Sequence, residues 1–177
     1  LLAVLPNGGV VFSRVGGGGE LDLFYFRVGT GLIELGTDIP AIASRNKTFQ
    51  VNDTNSKVVF TALNGANEEL YFWNPSNGQT TEIATNVNTT VFSEVGASNE
   101  VVYNVVANGT AEDAKYYDLD DGTTATLPST DTSEVLAVIN DGSTSWAIVR
   151  ASGTLMDMLA ISLVASPSTQ TWLAGGN

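Results

Sequence analysis

The sequence predicts an all-β chain made of four similar units, each a four-stranded antiparallel sheet of the kind that packs into a β-propeller-like array. Three observations carry this. Four short apolar runs, Val10-Val11-Phe12, Val58-Val59-Phe60, Val101-Val102-Tyr103 and Trp146-Ala147-Ile148, follow one another at steps of 48, 43 and 45 residues. Each is trailed by the same succession of loop, acid, second apolar run, turn and short third run. No stretch of helical length repeats apolar residues at i, i+3, i+4 and i+7, so helices have no amphipathic face from which to form.

The elements follow in order within each unit. An opening strand is read at Leu2 to Leu5, Phe49 to Val51, Val91-Phe92 and Val135 to Ile139. Pro6-Asn7-Gly8, Asp53-Thr54-Asn55, Gly96-Ala97-Ser98-Asn99 and Asn140-Asp141-Gly142 then turn the chain into the Val-Val-Phe-type strand. A loop containing Gly16 to Gly19, Asn64-Gly65, Asn108-Gly109 or Ser152-Gly153 leads to an acid, which is Asp22, Glu69, Asp113 or Asp157. The third strand is Leu23 to Phe26, Leu70 to Trp73, Tyr116-Tyr117 or Leu159 to Leu163. It ends in a turn such as Asn74-Pro75-Ser76-Asn77-Gly78 or Asp118-Leu119-Asp120-Asp121-Gly122, where Asn, Asp and Gly suit the left-handed backbone a hairpin needs. The fourth strand is Leu32 to Leu35, Thr80 to Ile83, Thr123 to Leu127 or Thr169 to Leu173.

A lone four-stranded sheet leaves both faces wet, so the units must stack to bury their apolar runs. Four-stranded repeats of about 40–45 residues are the mark of propeller blades. The expected organisation is a single domain over 1–177 with blades at 1–43, 44–87, 88–132 and 133–177, either a closed four-bladed ring or part of a larger propeller. A β-sandwich of many short strands is the alternative fold. The order across Asp53 to Ile83, a turn, then VVFTAL, an acid, LYFWN, NGQ and TTEI, resembles the blades of the TolB-type, WD40-like β-propeller family. The resemblance runs through all four units, and Asn140-Asp141-Gly142 stands where that family places a Pro-Asp-Gly turn. Unit four departs most, with Trp146-Ala147-Ile148 in place of Val-Val-Phe and no glycine in its last turn.

Composition narrows the function. With 7 Lys+Arg against 19 Asp+Glu the net charge is −12, which repels phosphate backbones and anionic headgroups. Nucleic acid is therefore not an expected partner. No apolar run approaches the ~20 residues of a membrane helix, so membrane insertion is not expected either. Acidity with few lysines suits an extracellular, periplasmic or cell-surface setting. A first residue, Leu1, that is neither Met nor preceded by a polar lead-in leads to the expectation of a segment of a larger protein. Sequons stand at Asn46, Asn52, Asn88 and Asn108, about as many as the Asn, Ser and Thr content supplies by chance.

The chain holds no His and no Cys. Ser-His-Asp and Cys-His nucleophile systems cannot be assembled from its own residues, and ordinary zinc, copper and haem ligation lacks its main donors. The expectation is a non-enzyme with no catalytic residues and no cofactor. Paired carboxylates remain, as in glycoside hydrolysis, and Glu94 and Glu134 near the inner strands are the candidates. Asp118, Asp120 and Asp121 are the candidate Ca²⁺ ligands, since hard cations take several oxygens, though their turn lies in register with ordinary hairpin turns of the other units. The Gly16–Gly19 run lacks a following helix and a Lys-Ser/Thr pair, so it reads as a loop and not as a phosphate cradle. The aromatic runs Phe24 to Phe26 and Tyr71 to Trp73 read as the seam between blades, because alternate strand residues point to opposite faces and cannot form one ligand platform. The leading function is a non-catalytic protein-binding or scaffolding module whose partner is a protein or the rest of a larger chain. Alternatives are a self-associating structural subunit of an extracellular assembly and a carbohydrate-active propeller.

Overall fold

A computed structural model describes residues 2–39, 49–51, 56–65, 67–87, 94–95, 99–107, 111–127, 133–140, 144–151, 157–163 and 170–174. Regular structure among them is entirely β. Blade 1 comprises β1 (Ala3–Val4), β2 (Val10–Val15), β3 (Leu21–Arg27) and β4 (Gly31–Ile39). Blade 2 comprises β5 (Phe49–Val51), β6 (Val58–Asn64), β7 (Asn67–Asn74) and β8 (Gln79–Ala84). Blade 3 is built from β9 (Glu94–Val95), β10 (Glu100–Ala107), β11 (Ala111–Asp118) and β12 (Thr124–Thr126), and blade 4 from β13 (Ser133–Asn140), β14 (Ser145–Ala151), β15 (Asp157–Ser162) and β16 (Gln170–Ala174). Each sheet is one four-stranded antiparallel meander in sequence order, as a blade array requires, and among the described residues the strands do not join into the two large sheets of a sandwich. The blades fall into two compact units, Leu1–Thr85 and Asn86–Asn177.

The turns behave as their residue types demand. At the β7–β8 hairpin, Gly78 takes φ 69° and donates its N–H to the Asn74 carbonyl at 2.8 Å. The Asn74 and Asn77 side chains accept from the Ser76 and Gln79 N–H groups at 2.9 and 3.0 Å, closing the loop on itself. The β11–β12 turn repeats this design, with Gly122 at φ 76° donating to the Asp118 carbonyl at 3.0 Å.

In the first unit, blade 1 turns one face onto blade 2. That back face carries Val11, Leu23, Tyr25 and Leu35, and the facing front of blade 2 carries Val58, Phe60, Ala62 and Trp73, all in one buried core. Tyr25 lies against Trp73 with ring centroids 4.5 Å apart. The seam expected of the aromatic runs is thus made by one residue from each. Phe24 instead stacks on Phe12 at 5.6 Å on the opposite face of blade 1, and Phe26 is 41% exposed there. A β-bulge recurs in three blades where the third strand meets the fourth, at Leu23/Phe24, Leu70/Tyr71 and Met158/Leu159. It adds twist to the outer strand and frees the backbone of Leu35 from the ladder.

The second unit has its own core, in which Val102, Ala114 and Tyr116 of blade 3 pack with Ala147, Val149, Leu159 and Ile161 of blade 4. Two sequence expectations shift here. The opening strand of blade 3 is Glu94–Val95, paired with Val102 and Val101, while Val91-Phe92 lies outside the described residues. In blade 4 the counterpart of Val58-Val59-Phe60 is Ala147-Ile148-Val149, one residue later than Trp146-Ala147-Ile148. Ala147 and Val149 are fully buried toward blade 3 as Val58 and Phe60 are toward blade 1, while Trp146 and Ile148 are half-buried on the other face. A slip of one residue exchanges the faces of a strand, and burial decides between the two frames where a weak sequence match cannot.

Candidate functional site

An open cleft of ≈ 250 Å³ lies in the first unit, where the bulged end of β4 crosses blade 2. Leu35, Gly36 and Thr37 line one side, and Phe60, Asn64, Glu69, Tyr71 and Thr80 line the other. Three local features make it. Gly36 lets the Phe60 ring come close, since a Cβ there would stand 2.7 Å from Phe60 Cε2. Strand alternation places Phe60 and Tyr71 opposite each other on the front of blade 2, where their rings stack at 5.7 Å with a 22° interplanar angle. The bulge leaves the Leu35 carbonyl free to accept from Thr80 Oγ1 at 3.4 Å, which ties β4 to β8.

The polar centre of the cleft is Glu69. Its Oε1 accepts from Asn64 Nδ2 at 2.9 Å, and its Oε2 accepts from the Tyr71 hydroxyl. These two donors, Tyr71 first, hold the carboxyl below the usual glutamate range. The Tyr71 hydroxyl is pushed up to about 12 by burial, then by its bond to Glu69 and by the negative charges of Glu69 and Glu82. The arrangement is therefore a charged acceptor fixed by two side chains beside an aromatic floor. It suits a donor such as an ammonium, guanidinium or amide N–H, and it does not suit proton delivery, for which a carboxyl must be held neutral.

The candidate Ca²⁺ ligands serve their own turn. Asp118 Oδ1 accepts from the N–H groups of Asp120 and Asp121 at 2.7 and 3.4 Å, and its Oδ2 accepts from the Tyr116 hydroxyl at 3.3 Å. Asp120 Oδ2 accepts from Asn99 Nδ2 at 2.9 Å, and Asp121 Oδ1 from the Thr123 N–H at 2.7 Å. Among the described residues no group of three or more acidic side chains gathers as a metal site. Glu94 and Glu134 pair with Val102 and Arg150 in their ladders, and their side chains lie outside what the structure describes. The four sequon asparagines also lie outside the described residues. Gly16 to Gly19 form the β2–β3 loop, closed by a 2.7 Å bond from the Gly16 N–H to the Glu20 carbonyl.

Of the cleft residues, Glu69 and Tyr71 stand out in sequence as the repeated acid and an aromatic of the third strand. Asn64, Thr80 and Gly36 do not: Asn64 reaches Glu69 through the β6–β7 hairpin, while the bulge and the blade-to-blade packing bring Leu35 to Thr80 and Gly36 to Phe60.

No family model and no curated protein sequence matches the chain. Among solved structures it is similar to TolB from Acinetobacter baumannii, with a TM-score of 0.53 and 13% sequence identity over 94% of this chain. The match spans 41% of that structure's length. At this identity the likeness is one of fold: the chain has a TolB-like propeller fold.

Proposed function

Taking the TolB-like propeller fold as the starting point, we propose that the chain is a non-catalytic protein-binding or scaffolding module that works outside the cytoplasm. We further propose that the cleft beside Glu69 is where it takes hold of a partner. The observation that carries this reading is the Glu69–Asn64–Tyr71 network lining an aromatic-floored cleft. A fixed carboxylate in a chain of net charge −12 favours a partner segment that offers a Lys or Arg next to an apolar residue. The charge speeds encounter, and the half-buried Tyr71 ring, backed by Phe60, supplies apolar area.

Panning a displayed random-peptide library on the chain tests this. The selected peptides are expected to share a basic residue beside an apolar one, and to lose at least about tenfold in affinity, near 1.4 kcal/mol, against Glu69→Ala. Peptides that bind Glu69→Ala as well as the parent, or a library that yields none, would overturn the reading. Location outside the cytoplasm is tested by following the native protein through cell fractionation.

A further inference from the structure

The same arrangement of ladder positions occurs on the fronts of blades 1 and 2. In blade 1, Phe12 lies opposite Phe24 and Arg14 opposite Asp22 across β2 and β3. In blade 2, Phe60 lies opposite Tyr71 and Ala62 opposite Glu69 across β6 and β7. The two aromatic pairs stack alike, with centroids 5.6 Å apart at 23° in blade 1 and 5.7 Å apart at 22° in blade 2. In both blades the acid stands two residues before the second ring, and so on the same face. The fourth position differs in kind: where blade 1 has an arginine, blade 2 has an alanine.

Arg14 shows how a guanidinium sits in this arrangement. Its Nη2 donates to Asp22 Oδ2 at 3.2 Å, and its Cζ stands over the Phe24 ring, 4.9 Å from the centroid. The cation is held twice, by a carboxylate and by an aromatic face. In blade 2, Ala62 ends at its Cβ and lines the ≈ 250 Å³ cleft together with Glu69 and Tyr71. A carboxylate has about four acceptor sites, two on each oxygen. Among the described residues, Glu69 Oε1 uses one for Asn64 and Oε2 one for Tyr71. That leaves an acceptor site on each oxygen, which is what the fork of a guanidinium requires.

We infer that the cleft takes an arginine of its partner in preference to a lysine, seated on Glu69 and Tyr71 as Arg14 is seated on Asp22 and Phe24. This rests on the reading of the cleft as the partner-binding site and narrows that reading to one side chain. A guanidinium is planar and weakly hydrated, so it can bond Glu69 and lie on the Tyr71 ring together. A lysine ammonium is a compact, strongly hydrated charge; it gains the carboxylate but less from the ring.

Nuclear magnetic resonance titration of the intact chain with N-acetyl-arginine methylamide and N-acetyl-lysine methylamide tests this. The arginine probe, taken to about 20 mM so that a millimolar site fills, is expected to shift the Asn64 side-chain amide and the Gly36 and Thr80 backbone amides. The lysine probe is expected to bind at least about fivefold more weakly, the worth of a modest cation–π contact. Glu69→Gln keeps an acceptor and removes the charge, and is expected to lose the arginine response. Ala62→Arg supplies a guanidinium from within the blade and is expected to lose it too, with unchanged circular dichroism. Equal affinity for the two probes, both lost in Glu69→Gln, would overturn the preference for arginine while leaving the cleft as the partner site. No shift at the cleft, or a response that survives Glu69→Gln or a folded Ala62→Arg, would overturn the inference, and the selected peptides then decide the partner site separately. If Ala62→Arg does not fold, the probe comparison and Glu69→Gln decide alone.

Discussion

Glu100 shows how one residue's surroundings set its chemistry. It lies at the start of β10 with 7% exposure, and its Oε2 accepts from Ser145 Oγ of blade 4 at 3.1 Å. Burial raises its carboxyl above the ordinary value of 4.5, helped by the charges of Asp118 and Asp120 and opposed by hydrogen bonds from its own N–H and from Ser145. Because the folded-state value lies above the unfolded one, the folded chain keeps its proton where the unfolded chain has lost it as pH climbs from 4.5, and stability falls across that window. Glu100→Gln keeps an acceptor for Ser145 and removes the buried charge. The variant is expected to melt higher than the parent at pH 7, with the gap closing by pH 4. Thermal unfolding at the two pH values checks this, and an equal loss at both would contradict it.

At the scale of elements, the recurring bulge between third and fourth strands does more than bend a sheet. In blade 1 it presents the Leu35 carbonyl to Thr80 and lays Gly36 against Phe60, so the fourth strand of one blade is fitted to the front of the next. Phe60 is 1% exposed and has little room to retreat. Gly36→Ala is therefore expected to cost about 1–3 kcal/mol by overpacking, read as a lower urea midpoint, and to narrow the cleft beside Glu69. Strand positions were legible from β-branched runs and turn residues, since both signals are local. The bulges were not, because an extra residue in a ladder is defined by its partner strand.

For the whole molecule, the division into two units with separate cores has an energetic consequence. Phe60 belongs to the core of the first unit and Val149 to that of the second. Phe60→Ala, a loss of about 3–5 kcal/mol for a buried aromatic, is expected to release hydrogen-exchange protection in β2, β3, β6 and β7. Protection in β10 and β14 should remain, since local opening follows the cooperative unit. Mass spectrometry of exchanged peptides reads this directly, and a parallel loss in both units would show a single cooperative body instead.

The sequence by itself determined the all-β class, the four-strand repeat, most hairpin turns and the acids and aromatics that each blade repeats. These follow from side-chain alternation and turn chemistry, which act over a few residues. Tertiary structure alone decided which face of each strand is buried. The match at Trp146-Ala147-Ile148 points to one frame for blade 4 and the packing selects the other, because an alternating strand is consistent with either until a neighbour covers one side. The same holds for the candidate site. Glu69 and Tyr71 are visible as members of a repeat, and the β6–β7 hairpin joins them to Asn64, but the cleft beside that carboxylate exists only once β4 is laid against blade 2.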